Sequence, residues 1–294
     1  MKLHIQNLSK TYPNGTKALN KVNLTIENGM FGLLGPNGAG KSTLMRTIAT
    51  LQEADDGTVM LDELDVLKEK HEVRKILGYL PQSFGVYPDV SAQEMLDHFA
   101  RLKGIHDKAE RSDTVNALLE QTNLSHVRKV KVGTFSGGMR QRFGIAQALL
   151  ASPKLVIVDE PTAGLDPVER TRFSNLLAEI GEQIIVILST HIVDDVSDLC
   201  QGMAILNKGT VIATGKPLEL MSEAQGKVWE ATIEKSEHEA YQKSCNLISY
   251  RHFSGKLIVR AFQDASPGDP FSPTKATLGD VYFSRIKEAD HALV

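Results

Sequence analysis

The chain has 294 residues, a formal charge of −3 and 41% hydrophobic residues, the composition of one large globular domain or one with a small appendage. Its 33 basic residues are outnumbered by 36 acidic ones, which argues against a nucleic-acid partner. Cys200 and Cys245 stand far apart with no C-x-x-C partner, and so fit a reducing compartment rather than a disulfide framework or a zinc site.

Met1 to Asn7 contains no apolar core of signal-peptide length. The strongest apolar runs, Leu155 to Val158 and Ile184 to Leu188, are too short to cross a bilayer. The expectation is a cytoplasmic protein, soluble by itself. Leu3 to Leu8 and Val22 to Ile26 alternate apolar and polar residues, as half-buried antiparallel strands do, with a turn at Pro13-Asn14-Gly15.

Met30 to Leu34 then reads as a short buried strand and Leu44 to Ala49 as a helix. Between them Gly35-Pro36-Asn37-Gly38-Ala39-Gly40-Lys41-Ser42-Thr43 fits G-x-x-x-x-G-K-[ST]. A glycine-rich turn from strand to helix aims successive backbone N–H groups, and the positive end of the helix dipole, at one concavity. Lys41 can reach β- and γ-phosphates, and the Ser42 hydroxyl can ligate Mg²⁺. This stretch predicts a nucleotide triphosphate site.

Thr58 to Leu61 and Ile76 to Leu80 read as strands. From Ser91, capped by Glu94 three residues on, the pattern turns helical: Met95, Leu96 and Phe99 share a face, and periodicity continues through Val115 to Leu119. The block from about Pro88 to Leu150 is expected to be a helical insertion. Within it Ser136-Gly137-Gly138 precedes a helix through Ala146 to Leu150 and forms a second anion site. A second site makes sense if it serves a nucleotide on another subunit.

Leu155 to Val158 and Ile184 to Leu188 are aliphatic runs typical of parallel strands buried on both faces, joined by a helical crossover from Val168 to Ile180. Asp159 and Glu160 end the first, where open α/β sheets place their ligands. Asp159 is expected to hold Mg²⁺ and Glu160 to polarise an attacking water. Gly202 to Ile212 supplies two more strands around Asn207-Lys208-Gly209.

Beyond about Pro217 come a strand (Val228 to Ile233), a short helix (Glu237 to Lys243), two strands (Leu247 to Tyr250, Leu257 to Phe262) and a last helix from about Thr277. This is the pattern of a small α+β accessory domain.

With these motifs in order, the chain resembles the ATP-binding cassette family, the ATPase subunits of ABC transporters, over about residues 1 to 220. The resemblance implies that Tyr12 stacks on adenine and that Gly35 to Thr43 cradle the phosphates. It makes Gln82 the link between Mg²⁺ and the transmembrane contact, and Ser136-Gly137-Gly138 the signature motif. Ala163-Gly164-Leu165-Asp166 would contact the opposite subunit, and His191 would touch the γ-phosphate. One residue departs from the pattern: Met139 stands where the family usually has glutamine, and a thioether cannot donate a hydrogen bond.

The implied fold is α/β: a P-loop ATPase core with an antiparallel β subdomain and an inserted helical subdomain (about 88–150) in residues 1–219, then a small α+β domain in 220–294. ATP and Mg²⁺ are the implied cofactors, with Ser42, Gln82 and Asp159 toward the metal and Glu160, His191, Gln82 and Lys41 toward the chemistry. The implied partners are a membrane permease, on the inner face of the cell membrane, and a second cassette, expected as a homodimer around two ATP; no nucleic acid is expected. Phe84, Val86 and Tyr87 are candidates for a docking groove or for packing between subdomains. Leu80 to Glu94, and the tail around Ala276 to Tyr282, look like exporter-type cassettes. A GTPase is set aside because Asn207-Lys208-Gly209-Thr210 lacks the Asp of N-K-x-D. A ribosome- or DNA-acting cassette is the other class, with no coiled coil, fused cassette or basic tract in its favour.

Overall fold

The structure, a computed structural model, describes residues 1–162 and 164–291. Strand β1 (Lys2–Thr11) pairs antiparallel with β2 (Lys17–Glu27), Leu3 opposite Ile26 and Ile5 opposite Leu24. Their alternation puts Leu3, Ile5, Leu24 and Ile26 on the buried face, as the sequence pattern requires. Next come β3 (Gly29–Leu34), buried throughout, and α1 (Lys41–Ile48). Strand β4 (Asp56–Leu61) returns to β1, and β5 (Leu64–Asp65) completes a sheet of order β2-β1-β4-β5. Helix α2 (Lys70–Ile76) leads into β6 (Leu77–Leu80). Ile76, expected as the first strand residue, instead ends α2, because the backbone becomes extended only at Leu77.

Three helices follow: α3 (Ala92–Leu102), α4 (Lys108–Gln121) and α5 (Gly137–Ala148). Ser91 caps α3 in a reciprocal box with Glu94. The three share an apolar core around Leu96, Leu119 and Phe143, with Phe143 edge-on to Phe135 at 6.3 Å between ring centres. Phe143 is wholly buried, so Phe143→Ala should cost about 3–5 kcal/mol, read as a fall in denaturant midpoint at constant slope.

The chain then supplies β7 (Leu155–Asp159), α6 (Pro167–Gly181), β8 (Ile185–Thr190), α7 (Val193–Leu199), β9 (Gly202–Asn207) and β10 (Thr210–Gly215). The main sheet runs β10-β9-β3-β8-β7-β6, with β10 antiparallel to β9 and the other pairs parallel. Its central strands are buried on both faces, which explains their unbroken aliphatic runs. Register sets the site: Leu34 lies opposite Thr190 and Asp159 opposite Ser189. The phosphate loop, Glu160 and His191 therefore leave the sheet at one end.

The remainder is α8 (Pro217–Glu223), β11 (Val228–Ile233), α9 (His238–Ser244), β12 (Leu247–Phe253), β13 (Lys256–Phe262), β14 (Ser272–Pro273) and α10 (Leu278–His291). Its sheet has the order β12-β13-β11-β14, over a small core that includes Val259, Ala261 and Phe271. Helix α10 returns to the main sheet, where Leu278, Val281 and Tyr282 pack with Val196 and Cys200. Arg260 and the Thr277 N–H and hydroxyl all donate to the buried Asp280 carboxylate, tying that helix to β13. Among the described residues, no helix is long and apolar enough to cross a membrane.

Candidate functional site

The phosphate loop is shaped by two glycines in the left-handed region, Gly38 (φ 79°) and Gly40 (φ 105°). A Cβ on Gly40 would meet the Ala18 carbonyl oxygen at 2.3 Å, so that position also needs the space. Helix α1 starts without a side-chain cap, which leaves its first N–H groups free for an anion. Lys41 is buried and its Nζ donates to the carbonyl oxygens of Gly35 (2.6 Å) and Pro36 (3.2 Å). Burial pushes its ammonium below the ordinary lysine range, against the pull of the nearby Glu160 and Asp159 carboxylates. Ser42 is exposed at the mouth of the loop.

Tyr12 is half-buried, its hydroxyl 3.2 Å from both Thr43 Oγ1 and Gln52 Oε1. The end of β1 is thus tethered to the first turn of α1. Asp159 is buried and accepts from the Ser189 hydroxyl across the β7–β8 register. Glu160, one residue on, takes φ 47°, and its N–H donates to the Ser189 carbonyl oxygen at 3.0 Å. A left-handed glutamate costs on the order of 1–3 kcal/mol, and the turn throws its side chain out of the sheet. There Oε2 accepts from Gln82 Nε2 at 3.1 Å and Oε1 lies 3.3 Å from His191 Nδ1. Glu160 is 15% exposed and His191 49%, so the carboxylate is shielded while the imidazole meets solvent. The structure brings Gln82, Glu160 and His191 together, with Asp159 and Lys41 beside them.

The Ser136-Gly137-Gly138 turn, expected to be a second anion site, is built separately at the start of α5. Ser136 caps α5 by accepting from the Met139 N–H at 3.2 Å, and the glycines form that helix's first turn, earlier than the helix read from Ala146. Ser136 and Gly137 are exposed. Gly138 is buried: a Cβ there would sit 2.2 Å from Glu169 Oε2. Glu169 pairs with Arg142 and with Arg172, the latter at 2.8 Å. Asp166 caps α6 by accepting from the Glu169 N–H at 2.9 Å. Glu169 thus meets Asp166 through its backbone N–H and lies against Gly138 through its side chain. Among the described residues, no hydrogen bond joins Ser136, Gly137, Gly138 or Asp166 to the phosphate loop; Ala163 lies outside the described residues. Met139 packs into the helical core, which suits a thioether where an amide would need partners.

The residues expected to face a metal are one buried carboxylate (Asp159), one exposed hydroxyl (Ser42) and one amide (Gln82). Among the described residues, no cluster of three or more His, Cys, Asp or Glu forms an all-protein cage. A single carboxylate with neutral oxygens fits Mg²⁺, which keeps waters and takes phosphate ligands.

Phe84 packs against both the main and the helical core, over Gly144, and Val86 packs in the helical core; of the three loop candidates Tyr87 is the exposed one, at 63%. The structure also holds a groove that the sequence did not reveal. It has a volume of about 300 Å³ and is lined by Leu51, Tyr79, Phe99 and Leu102, with Lys103 and Gln147 at its polar side. Gln147 Oε1 is buried there without a hydrogen-bond partner. Ser189 was also missed, although a serine closing a buried aliphatic run is a signal.

Residues 19–163 match the family described as ABC transporter. The chain is 34% identical over 233 residues to the uncharacterized ABC transporter ATP-binding protein YxlF of Bacillus subtilis, covering 79% of this chain and 77% of that one. It is 34% identical over 242 residues to the probable multidrug ABC transporter ATP-binding protein YbhF of Escherichia coli, covering 81% of this chain but 41% of that one. Among solved structures it resembles the dimeric ATP-binding cassette MJ0796 in a post-hydrolysis state bound to ADP and Pi, with a TM-score of 0.66 and 27% identity, over 73% of this chain and 98% of that one. Together with a glycine-shaped loop and a shielded carboxylate at one end of the sheet, these likenesses show that the chain belongs to the ABC transporter family, as one of its ATP-binding cassettes and an ATPase.

Proposed function

We propose that two copies of this chain close head to tail around two ATP molecules and drive a separate membrane permease, in the direction of export. The observation that carries the reading is Glu160 held between Gln82 and His191 while Ser136 and Gly137 stand exposed elsewhere. Each chain carries Gln82, Glu160 and His191 beside its own phosphate loop and an exposed Ser136-Gly137 turn that this loop does not use, so a second chain is needed to complete each cleavage site.

In this reading adenine stacks on Tyr12, and the N–H groups from Gly35 to Thr43 receive the phosphates. Lys41 leaves its two carbonyl acceptors for the β- and γ-phosphate oxygens. Ser42, Gln82 and Asp159 would hold Mg²⁺, which neutralises charge developing on the phosphates. Glu160 takes a proton from the attacking water, and His191 and Gln82 fix that carboxylate and the γ-phosphate. Ser136, Gly137 and Gly138 of the partner cap the γ-phosphate, so Asp166 meets the opposite subunit and hydrolysis loosens the pair.

The division into a cassette (1–219) and an accessory domain (220–294) belongs to the same proposal, with β11 to β14 supplying the small second core. Export is supported by the exporter-like Leu80 to Glu94 segment and by the multidrug relative. The chain would sit peripherally on the inner face of the membrane through the permease. The groove between Leu51, Tyr79 and Leu102 suits an apolar helical segment of that partner.

The test is capture of tagged Glu160→Gln chain, with ATP and Mg²⁺, from detergent-solubilised membranes. A polytopic membrane protein is the expected companion; ribosomal proteins or DNA in its place would sink the transport reading. Leu51 and Leu102 are 53% and 70% exposed. Leu102→Glu with Leu51→Glu should weaken permease capture about tenfold or more, the scale of a lost apolar anchor, with ATP binding unchanged.

A further inference from the structure

Asp195 is the most heavily bonded carboxylate near the site. It lies in the first turn of α7 and is 3% exposed. Its Oδ2 accepts from the Thr162 hydroxyl at 2.8 Å and from the Thr190 hydroxyl at 3.3 Å. Its Oδ1 accepts from Arg170 Nε at 2.9 Å and from Arg170 Nη2 at 2.6 Å. These donors come from three segments. Thr162 follows Glu160 by two residues, Thr190 directly precedes His191, and Arg170 lies one helical turn beyond Asp166. Thr190 Oγ1 also accepts the Ile192 N–H at 2.9 Å, so one side chain spans the His191 backbone.

We propose that Asp195 is a positioning residue for the hydrolytic step, one buried carboxylate that fixes the Glu160 turn, the His191 turn and the root of α6 against each other. The inference rests on the roles given to Glu160 and His191 under Proposed function. Charge-assisted bonds in a dry site hold geometry firmly, and a carboxylate, with two oxygens and about four lone-pair sites, can receive all four bonds. Glu160 is held in the left-handed region by what surrounds it, and Thr162 is the nearest downstream anchor. Asn in place of Asp195 keeps the shape but removes the charge facing Arg170, and it turns an N–H₂ toward one set of donors.

The experiment measures phosphate release and ATP binding by the full chain carrying Asp195→Asn, Thr162→Val or Thr162→Ser, with melting temperatures alongside. Asp195→Asn should lower kcat roughly 10- to 100-fold, the scale of a misplacement of about 1 Å, while KM and Kd for ATP stay within about threefold because the phosphate loop is untouched. Thr162→Ser should keep the rate and Thr162→Val should lose it. The double variant Thr162→Val with Asp195→Asn should be no worse than Asp195→Asn alone. If Asp195→Asn does not fold, the Thr162 pair decides by the same split.

A kcat within about threefold of wild type, or a loss of rate matched by an equal loss of ATP affinity, overturns the proposal. Glu160→Gln run in parallel separates the two ideas. Wild-type turnover there overturns the base assignment, whereas an inactive Glu160→Gln beside an unimpaired Asp195→Asn overturns only the positioning role.

Discussion

Glu160→Gln should abolish ATP turnover and leave ATP binding in place. The amide keeps the volume and shape of the carboxylate, so the Gln82 and His191 neighbours need not move. What disappears is the proton acceptor proposed for the attacking water, and a positioned general base is worth about 10²- to 10⁴-fold in rate. Phosphate release should fall by that factor, while the Kd for ATP holds and a dimer stable to sizing chromatography accumulates with ATP and Mg²⁺. A variant that still hydrolyses ATP at the wild-type rate would falsify the base assignment. A pH effect accompanies the change. Burial lowers the pKa of Lys41, while Glu160 and Asp159 raise it. Removing the Glu160 charge drops one of the two raising influences, so Lys41 loses its proton at a lower pH. A lysine is charged below its pKa, and the charge is what holds phosphate. On alkaline titration, ATP affinity should therefore decline earlier in Glu160→Gln than in wild type.

The features legible in the sequence were those whose cause is local. Met30 to Leu34 followed by Gly35 to Thr43 is a strand, turn and helix start in one continuous stretch, and the structure places β3, loop and α1 there. Asp159 and Glu160 were readable because they end an unbroken aliphatic run. Helix α2 was not, since Val73 is its one buried residue and no apolar period exists to detect. The start of α5 was obscured because its first two residues are glycines, poor helix formers that the Ser136 cap overrides.

Other elements depend on contacts that no local pattern encodes. The Ser189 bond to Asp159 exists only once β7 and β8 adopt their register. Phe84 could be read as a docking residue or as packing, and Gly144 decides it: the missing side chain makes room for the phenyl ring. The groove assembles Leu51, Tyr79, Leu102 and Gln147 from four separate elements or loops. Glu169 carried no motif, yet it joins Asp166 to the Gly138 turn.

Gly138→Ala should strike harder than its single methyl suggests. The new Cβ would fall 2.2 Å from Glu169 Oε2, and that carboxylate is held by Arg142 and Arg172. Either the α5 start or the Glu169 side chain must shift, an overpacking cost of about 1–3 kcal/mol. The shift lands on the motif assigned to the partner's γ-phosphate, where loss of aligned donors costs about 10²- to 10³-fold in rate. Hydrolysis and ATP-driven dimer formation should fall together, while a single chain still binds ATP through its own phosphate loop. Gly137→Ala is the control, because nothing lies within 4 Å of a Cβ there. It should leave the melting temperature unchanged, and any loss of dimer must then come from closeness to the partner's nucleotide. If both variants hydrolyse ATP at the wild-type rate, the Ser136 to Gly138 turn is not the second half of the site. If Gly138→Ala melts lower but dimerises and hydrolyses normally, Glu169 is a fold brace with no bearing on the phosphate. Loss of turnover in both, with a lower melting temperature in Gly138→Ala alone, is the expected pattern. It follows from one glycine packed against its own chain and one turned outward.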